Sequence, residues 1–189
     1  LGVCFPIILI VSAFSALIGM GGAPLAAIRM GEKKREDAEK IFNNGVILLL
    51  IFGIALTVVL LLFSRQLLVL FGSPASSLPY ADAYLRIYAI GTVFVMLALG
   101  LNPFISTQGL AFMSMITVAI GAVLNIALDP LFIFAFNMGV RGAALATILS
   151  QAVSCVWVVL FFVSKRTSIK LKPSFFKLQP SVFLPTLAL

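Results

Sequence analysis

The sequence predicts an all-α polytopic membrane protein, an antiparallel bundle of transmembrane helices, and three observations predict it. Hydrophobic residues make up 62% of the chain and charged residues 10%, whereas a soluble domain carries about 25% charged residues. The apolar residues gather in blocks of about 20 or more, the length at which a helix crosses roughly 30 Å of hydrocarbon. The positive charges behind the net charge of +7 sit mainly in the connections between blocks. In a soluble protein that surplus would suggest nucleic acid; here its placement reports topology.

Six blocks follow in order, over about 1–28, 38–63, 78–102, 112–136 and 143–164, with a sixth opening near Ser181. The first connection carries Arg29, Lys33, Lys34, Arg35 and Lys40. Glu36, Asp37 and Glu39 stand where the second helix begins, matching the positive end of its dipole. Glu36 and Lys40 form an i,i+4 pair. The connection after the fifth block carries Lys165, Arg166, Lys170, Lys172 and Lys177 with no acid, while the second and fourth hold little more than Arg65 and Arg141. Successive spans alternate sides, so both basic connections fall on one face, which the positive-inside rule makes cytoplasmic. The first block lacks a basic lead and does not read as a signal peptide. With no start Met, and an apolar block that opens and stops at Leu189, the chain reads as a fragment.

Within the first block, Gly19 to Pro24 lacks the Lys-Ser/Thr of a phosphate loop and predicts close helix packing with a kink. The stretch 71–79 is a turn-rich outer loop, with Ser76 or Ser77 as helix cap and Pro79 near the first helical position. Tyr80, Tyr84 and Tyr88 repeat at i,i+4 and read as an aromatic belt at the outer interface, with substrate stacking as the alternative. Asn102-Pro103 and Gln108-Gly109 mark an uncharged third connection, either a tight inner turn or a lining of the inner mouth. The short turn over 137–142 makes the fourth and fifth helices antiparallel neighbours.

Asp129 is the one carboxylate deep inside an apolar stretch. At hydrocarbon depth a charge costs roughly 2.5–3.5 kcal/mol, so such residues face a bundle interior or a watery cavity. Thr117, Gly121, Asn125 and Asp129 share a face of the fourth helix at successive i+4 steps. Ala143, Thr147, Ser150, Gln151 and Ser154 form a small, polar stripe on the fifth. Counted from the turn between the helices, Asp129 and Thr147 reach similar depth, so Asn125, Asp129 and Thr147 are expected within reach of one another. Carboxylate, amide oxygen and hydroxyl suit a hard cation such as Na⁺. Pro130 cannot donate to the carbonyl of Ile126, which frees a backbone oxygen nearby. A proton on Asp129 is the second possibility, and a permanently neutral packing pair of Asn125 and Asp129 the third. The absence of His and the single intramembrane Asp argue against an enzyme. Cys4 and Cys155 lie within apolar runs and read as small hydrophobes rather than a disulfide.

Four stretches carry a family resemblance: Gly21-Gly-Ala-Pro-Leu with Arg29-Met-Gly-Glu-Lys-Lys; Pro79-Tyr-Ala-Asp-Ala-Tyr-Leu-Arg-Ile; Gly121-Ala-Val-Leu-Asn-Ile-Ala-Leu-Asp-Pro-Leu-Phe-Ile-Phe; and Asn137-Met-Gly-Val-Arg-Gly-Ala-Ala-Leu-Ala-Thr-Ile-Leu-Ser-Gln. Together they resemble the bacterial branch of the multidrug and toxic compound extrusion (MATE) transporters. The resemblance implies one partial lobe of a two-lobe transporter: residues 1–180 as the N-terminal lobe without its first helix, and 181–189 as the start of the C-terminal lobe. It implies a cation site at Asp129, Asn125 and Thr147, with the Ala143 carbonyl added for sodium. It further implies a multi-pass antiporter of the bacterial plasma membrane, exporting small organic, often cationic compounds in exchange for Na⁺ or H⁺. Neither a prosthetic cofactor nor a nucleic acid is implied. A lipid-linked precursor flippase of the same superfamily is the alternative.

Overall fold

The computed structural model describes residues 2–164 and 167–171. A 3₁₀ turn (Gly2–Cys4) leads into five helices: α1 (Phe5–Gly31), α2 (Arg35–Leu70), α3 (Leu78–Ser106), α4 (Ala111–Pro130) and α5 (Val140–Val163). A π-helical turn (Leu131–Ala135) continues α4. There is no strand among the described residues. All five helices are long and apolar enough to span a membrane. The end bearing the α1–α2 connection is called the basic end below. Lys165, Arg166, Lys172, Lys177 and the sixth apolar block lie outside the described residues.

α3 is the central post. It packs against each of the other four helices, while α1 pairs with α2 and α4 with α5. Small residues allow this closeness, because backbones approach only where no side chain intervenes. A Cβ on Gly19 would stand 2.6 Å from the Gly100 carbonyl oxygen, and one on Gly100 would stand 2.5 Å from Leu49. The predicted close packing at Gly19 is therefore a backbone contact between α1 and α3. Gly91 admits Ile148 at the α3–α5 crossing. At the basic end Phe42 stacks on Phe162 at 4.3 Å and meets Phe104 edge-on at 5.3 Å, joining α2, α3 and α5.

The helix ends follow local chemistry. Lys34 and Arg29 place their cations 3.0 and 2.8 Å from Glu32; their hydrogen bonds hold its carboxyl below the ordinary range. Lys40 meets Glu36 at 3.1 Å, an i,i+4 pair at the solvated helix start that adds little to stability. Ser77 precedes α3 but donates to the Pro74 carbonyl instead of capping the helix. Gly109, at φ +80°, turns the chain between α3 and α4.

Three elements depart from the sequence-based expectation. α2 does not stop near residue 63: it passes a local kink at Phe63 (φ −113°, ψ 16°) and runs to Leu70. Ser64, 1% exposed, donates to Asp82 at 2.5 Å, and Arg86 holds the other oxygen of Asp82 at 3.0 Å, so α3 supports the extension. α3 likewise continues through Pro103 to Ser106. Tyr84 and Tyr88 form no belt: they are 7% and 2% exposed, stacked at 6.2 Å inside the bundle, and only Tyr80 is open at 66%.

Gly19→Ala is expected to lower stability in detergent by about 1–3 kcal/mol, since a backbone oxygen cannot yield as a flexible side chain does. Gly31→Ala, with no atom within 4 Å of its new Cβ, should be neutral. Thermal unfolding of the two variants measures the difference, and equal midpoints would refute the backbone contact.

Candidate functional site

α3, α4 and α5 enclose an open cavity of about 240 Å³, into which the polar stripes of α4 and α5 converge. Its polar wall is Asn102 from α3, Thr117 and Asn125 from α4, and Thr147, Ser150 and Gln151 from α5. Among the described residues no Lys or Arg lines it. The α4–α5 seam is tight: a Cβ on Gly121 would lie 2.9 Å from Ser154 Oγ, and that hydroxyl donates to the Thr117 carbonyl at 3.3 Å.

The predicted residues divide between the cavity and its edge. Asn125 and Thr147 line the cavity; Asp129, one turn further along α4, does not. Thr147 donates its hydroxyl to the Ala143 carbonyl at 2.9 Å, which leaves the hydroxyl's lone pairs as an acceptor. Tyr84, on α3, is buried and stacks on Tyr88. Around Asp129 the backbone changes character: Pro130 has no N–H to give Ile126, and the next residues take the wider π spacing, with Phe136 N–H reaching the Leu131 carbonyl at 3.0 Å. π-turns concentrate at functional positions.

The distinguishing property of the site is unmet polarity. Asp129 Oδ1, Asn125 Nδ2 and Asn102 Oδ1 are buried and have no hydrogen-bond partner among the described residues. Natural proteins leave few such atoms, because each costs about 1–3 kcal/mol. Of the three, the Asp129 and Asn102 oxygens are acceptors and the Asn125 nitrogen is a donor, a mixed polar set on or beside one cavity with the Thr147 hydroxyl on its wall. Such a set can take a hard cation, a proton with its hydrogen-bond partners, or the amine and amide groups of an organic molecule.

The structure places Asn102, expected in a tight inner turn or in the lining of the inner mouth, within α3 on the cavity wall. Asn102 stood before Pro103, the pattern of a helix end, yet the helix continues. Pro103 leaves the Leu99 carbonyl without its helical donor, and Leu99 lines the same cavity. A polar residue just before an intrahelical proline was the available signal.

Comparison with known proteins places this geometry. Residues 1–131 match the MatE family model. The multidrug export protein MepA of Staphylococcus haemolyticus is 29% identical over 164 residues, covering 87% of this chain and 36% of MepA. The Staphylococcus saprophyticus protein of that name is 28% identical over 170 residues, 90% of this chain and 38% of its own. A solved multidrug resistance MATE family transporter of the MOP superfamily, in its inward-facing conformation, superposes with a TM-score of 0.93 at 28% identity, covering 99% of this chain and 43% of that one. An outward-facing conformation of such a transporter superposes at 0.91 with 28% identity over 98% of this chain and 42% of its own. The chain spans well under half the length of these relatives.

Asn125→Leu is expected to leave thermal stability unchanged or raise it, since its amide nitrogen is an unmet donor costing about 1–3 kcal/mol. A drop beyond about 1 kcal/mol in detergent melting would make Asn125 a structural residue and remove it from the site.

Proposed function

The chain belongs to the MatE family, and on that premise we propose that it acts in a secondary active antiporter of the bacterial plasma membrane, exporting toxic organic, often cationic compounds in exchange for Na⁺ or H⁺. The observation carrying this reading is the buried, unpartnered carboxylate oxygen of Asp129 next to the unmet amide of Asn125. An empty, ionised Asp129 at membrane depth costs at least roughly 2.5–3.5 kcal/mol. Binding Na⁺ or H⁺ cancels the charge and makes the occupied lobe the cheaper one to enclose.

Asp129 is the charge that binds and releases the coupling ion, and Asn125 and Thr147 supply neutral oxygens to it. The Ala143 carbonyl, which already accepts the Thr147 hydroxyl, sets the direction of that hydroxyl and has a second lone pair for a cation. Asn102, Gln151 and Ser150 offer donors and acceptors to an organic substrate in the cavity. With no basic residue among the described residues that line it, the cavity suits a cation better than the phosphate of a lipid-linked precursor. Near-equal superposition on inward- and outward-facing relatives supports a lobe that moves as one body while access alternates.

Asp129→Asn in the complete gene product, reconstituted in liposomes, is expected to abolish export driven by a Na⁺ or pH gradient. Insertion and melting temperature should stay at wild-type values. Undiminished gradient-driven export of ethidium by that variant would reject the coupling role.

A further inference from the structure

The chain leaving α5 does not run straight into water. Thr167–Leu171 lies across the basic end of the bundle, and one side chain meets three of its donors. The Gln108 carbonyl oxygen accepts the Ser168 N–H at 2.8 Å and, more weakly, the Ile169 N–H at 3.4 Å. Thr167 Oγ stands 2.8 Å from that oxygen and 2.7 Å from the Ile169 carbonyl, so its single proton serves one of them at a time. Gln108 is itself fixed, donating its amide to the Phe104 carbonyl at 2.8 Å. From α2, Asn43 donates to the Lys170 carbonyl at 3.2 Å and to the Glu39 carbonyl at 2.7 Å. Ile169 is fully buried in the cluster that includes Phe42, Phe104 and Phe162, and Leu171 packs against it.

Backbone groups in a buried irregular segment must find partners, and here two side chains on other elements supply them. Asn43 belongs to α2 and Gln108 follows α3, so the segment ties together the ends of α2, α3 and α5. We infer that Gln108 is the positioning residue of a strap, Thr167–Leu171, that ties the ends of α2, α3 and α5 together at the basic end. The consequence for transport rests on the function proposed above: pinned helix ends move as one body, where slack would let them slip. Gln108 touches neither the cavity nor Asp129, so its effect runs through the strap.

Hydrogen exchange of a peptide covering 167–171, read in the complete gene product in nanodiscs, tests the anchor directly. Gln108→Leu is expected to speed exchange at Ser168 and Ile169 at least about tenfold, the equivalent of roughly 1.4 kcal/mol of local opening. Gln108→Glu keeps an acceptor in place and should restore protection. Thr167→Val, which leaves α3 untouched, should raise exchange by a smaller factor and covers the case in which Gln108→Leu fails to insert. Wild-type exchange in both Gln108→Leu and Thr167→Val would overturn the strap. Gradient-driven export should fall in Gln108→Leu and recover in Gln108→Glu; loosened exchange with undiminished export would overturn the positioning role. Absence of export in the wild type counts against the transport reading alone, since exchange decides the anchor by itself.

Discussion

Backbone-to-backbone approach along α3 is the constraint on which the rest of this structure depends. In hydrocarbon no hydrophobic force draws one apolar helix to another, so dispersion contacts and hydrogen bonds between helices must do it, and both need short distances. Gly19, Gly91 and Gly100 remove the side chains that would hold α1, α2 and α5 away from α3. Because α3 is thereby fixed on several sides, its polar residues occupy defined places. Asn102 is held at the cavity wall, Tyr84 against Tyr88, and Asp82 against Ser64.

Proline has the complementary role. Each intrahelical proline deletes one hydrogen bond and leaves one carbonyl without its usual donor. Pro103 does this for Leu99 at the cavity, and Pro130 does it for Ile126 beside Asp129. The π-turn that follows Pro130 widens the helix at the same point. Spare acceptors and unmet side-chain polarity thus gather in this region, while two further unpartnered buried atoms among the described residues, Ser73 Oγ and Trp157 Nε1, lie elsewhere. Such a region is poorly stable when empty and is improved by a guest, which is the thermodynamic condition for an ion or an organic amine to bias its conformation.

The basic end follows a different logic. There Gln108 and Asn43 meet backbone groups of Thr167–Leu171, and Ile169 joins an aromatic cluster. One end of the bundle is thus closed by complementary bonding while the cavity holds unsatisfied atoms. This asymmetry suits a body that must move as a unit yet change its affinity in one place.

Much of this was legible in the amino-acid order. Five spans, their turns, and the shared helical faces of Asn125 with Asp129 and of Thr147 with Gln151 follow from block length and a 3.6-residue period alone, because a helix in hydrocarbon must satisfy its own backbone. The order of residues did not disclose which faces are buried. Helices that are apolar all round carry no amphipathic signal, so burying Tyr84 and Tyr88 rather than placing them at an interface was settled by their neighbours on α3. Nor did it disclose that α2 outruns its apolar block, that Asn102 precedes a proline the helix tolerates, or that Gln108 holds a segment 60 residues away. Each depends on a partner distant in sequence. Local composition determined what crosses the membrane, and tertiary contact alone decided which polar atoms were paired and which were left open.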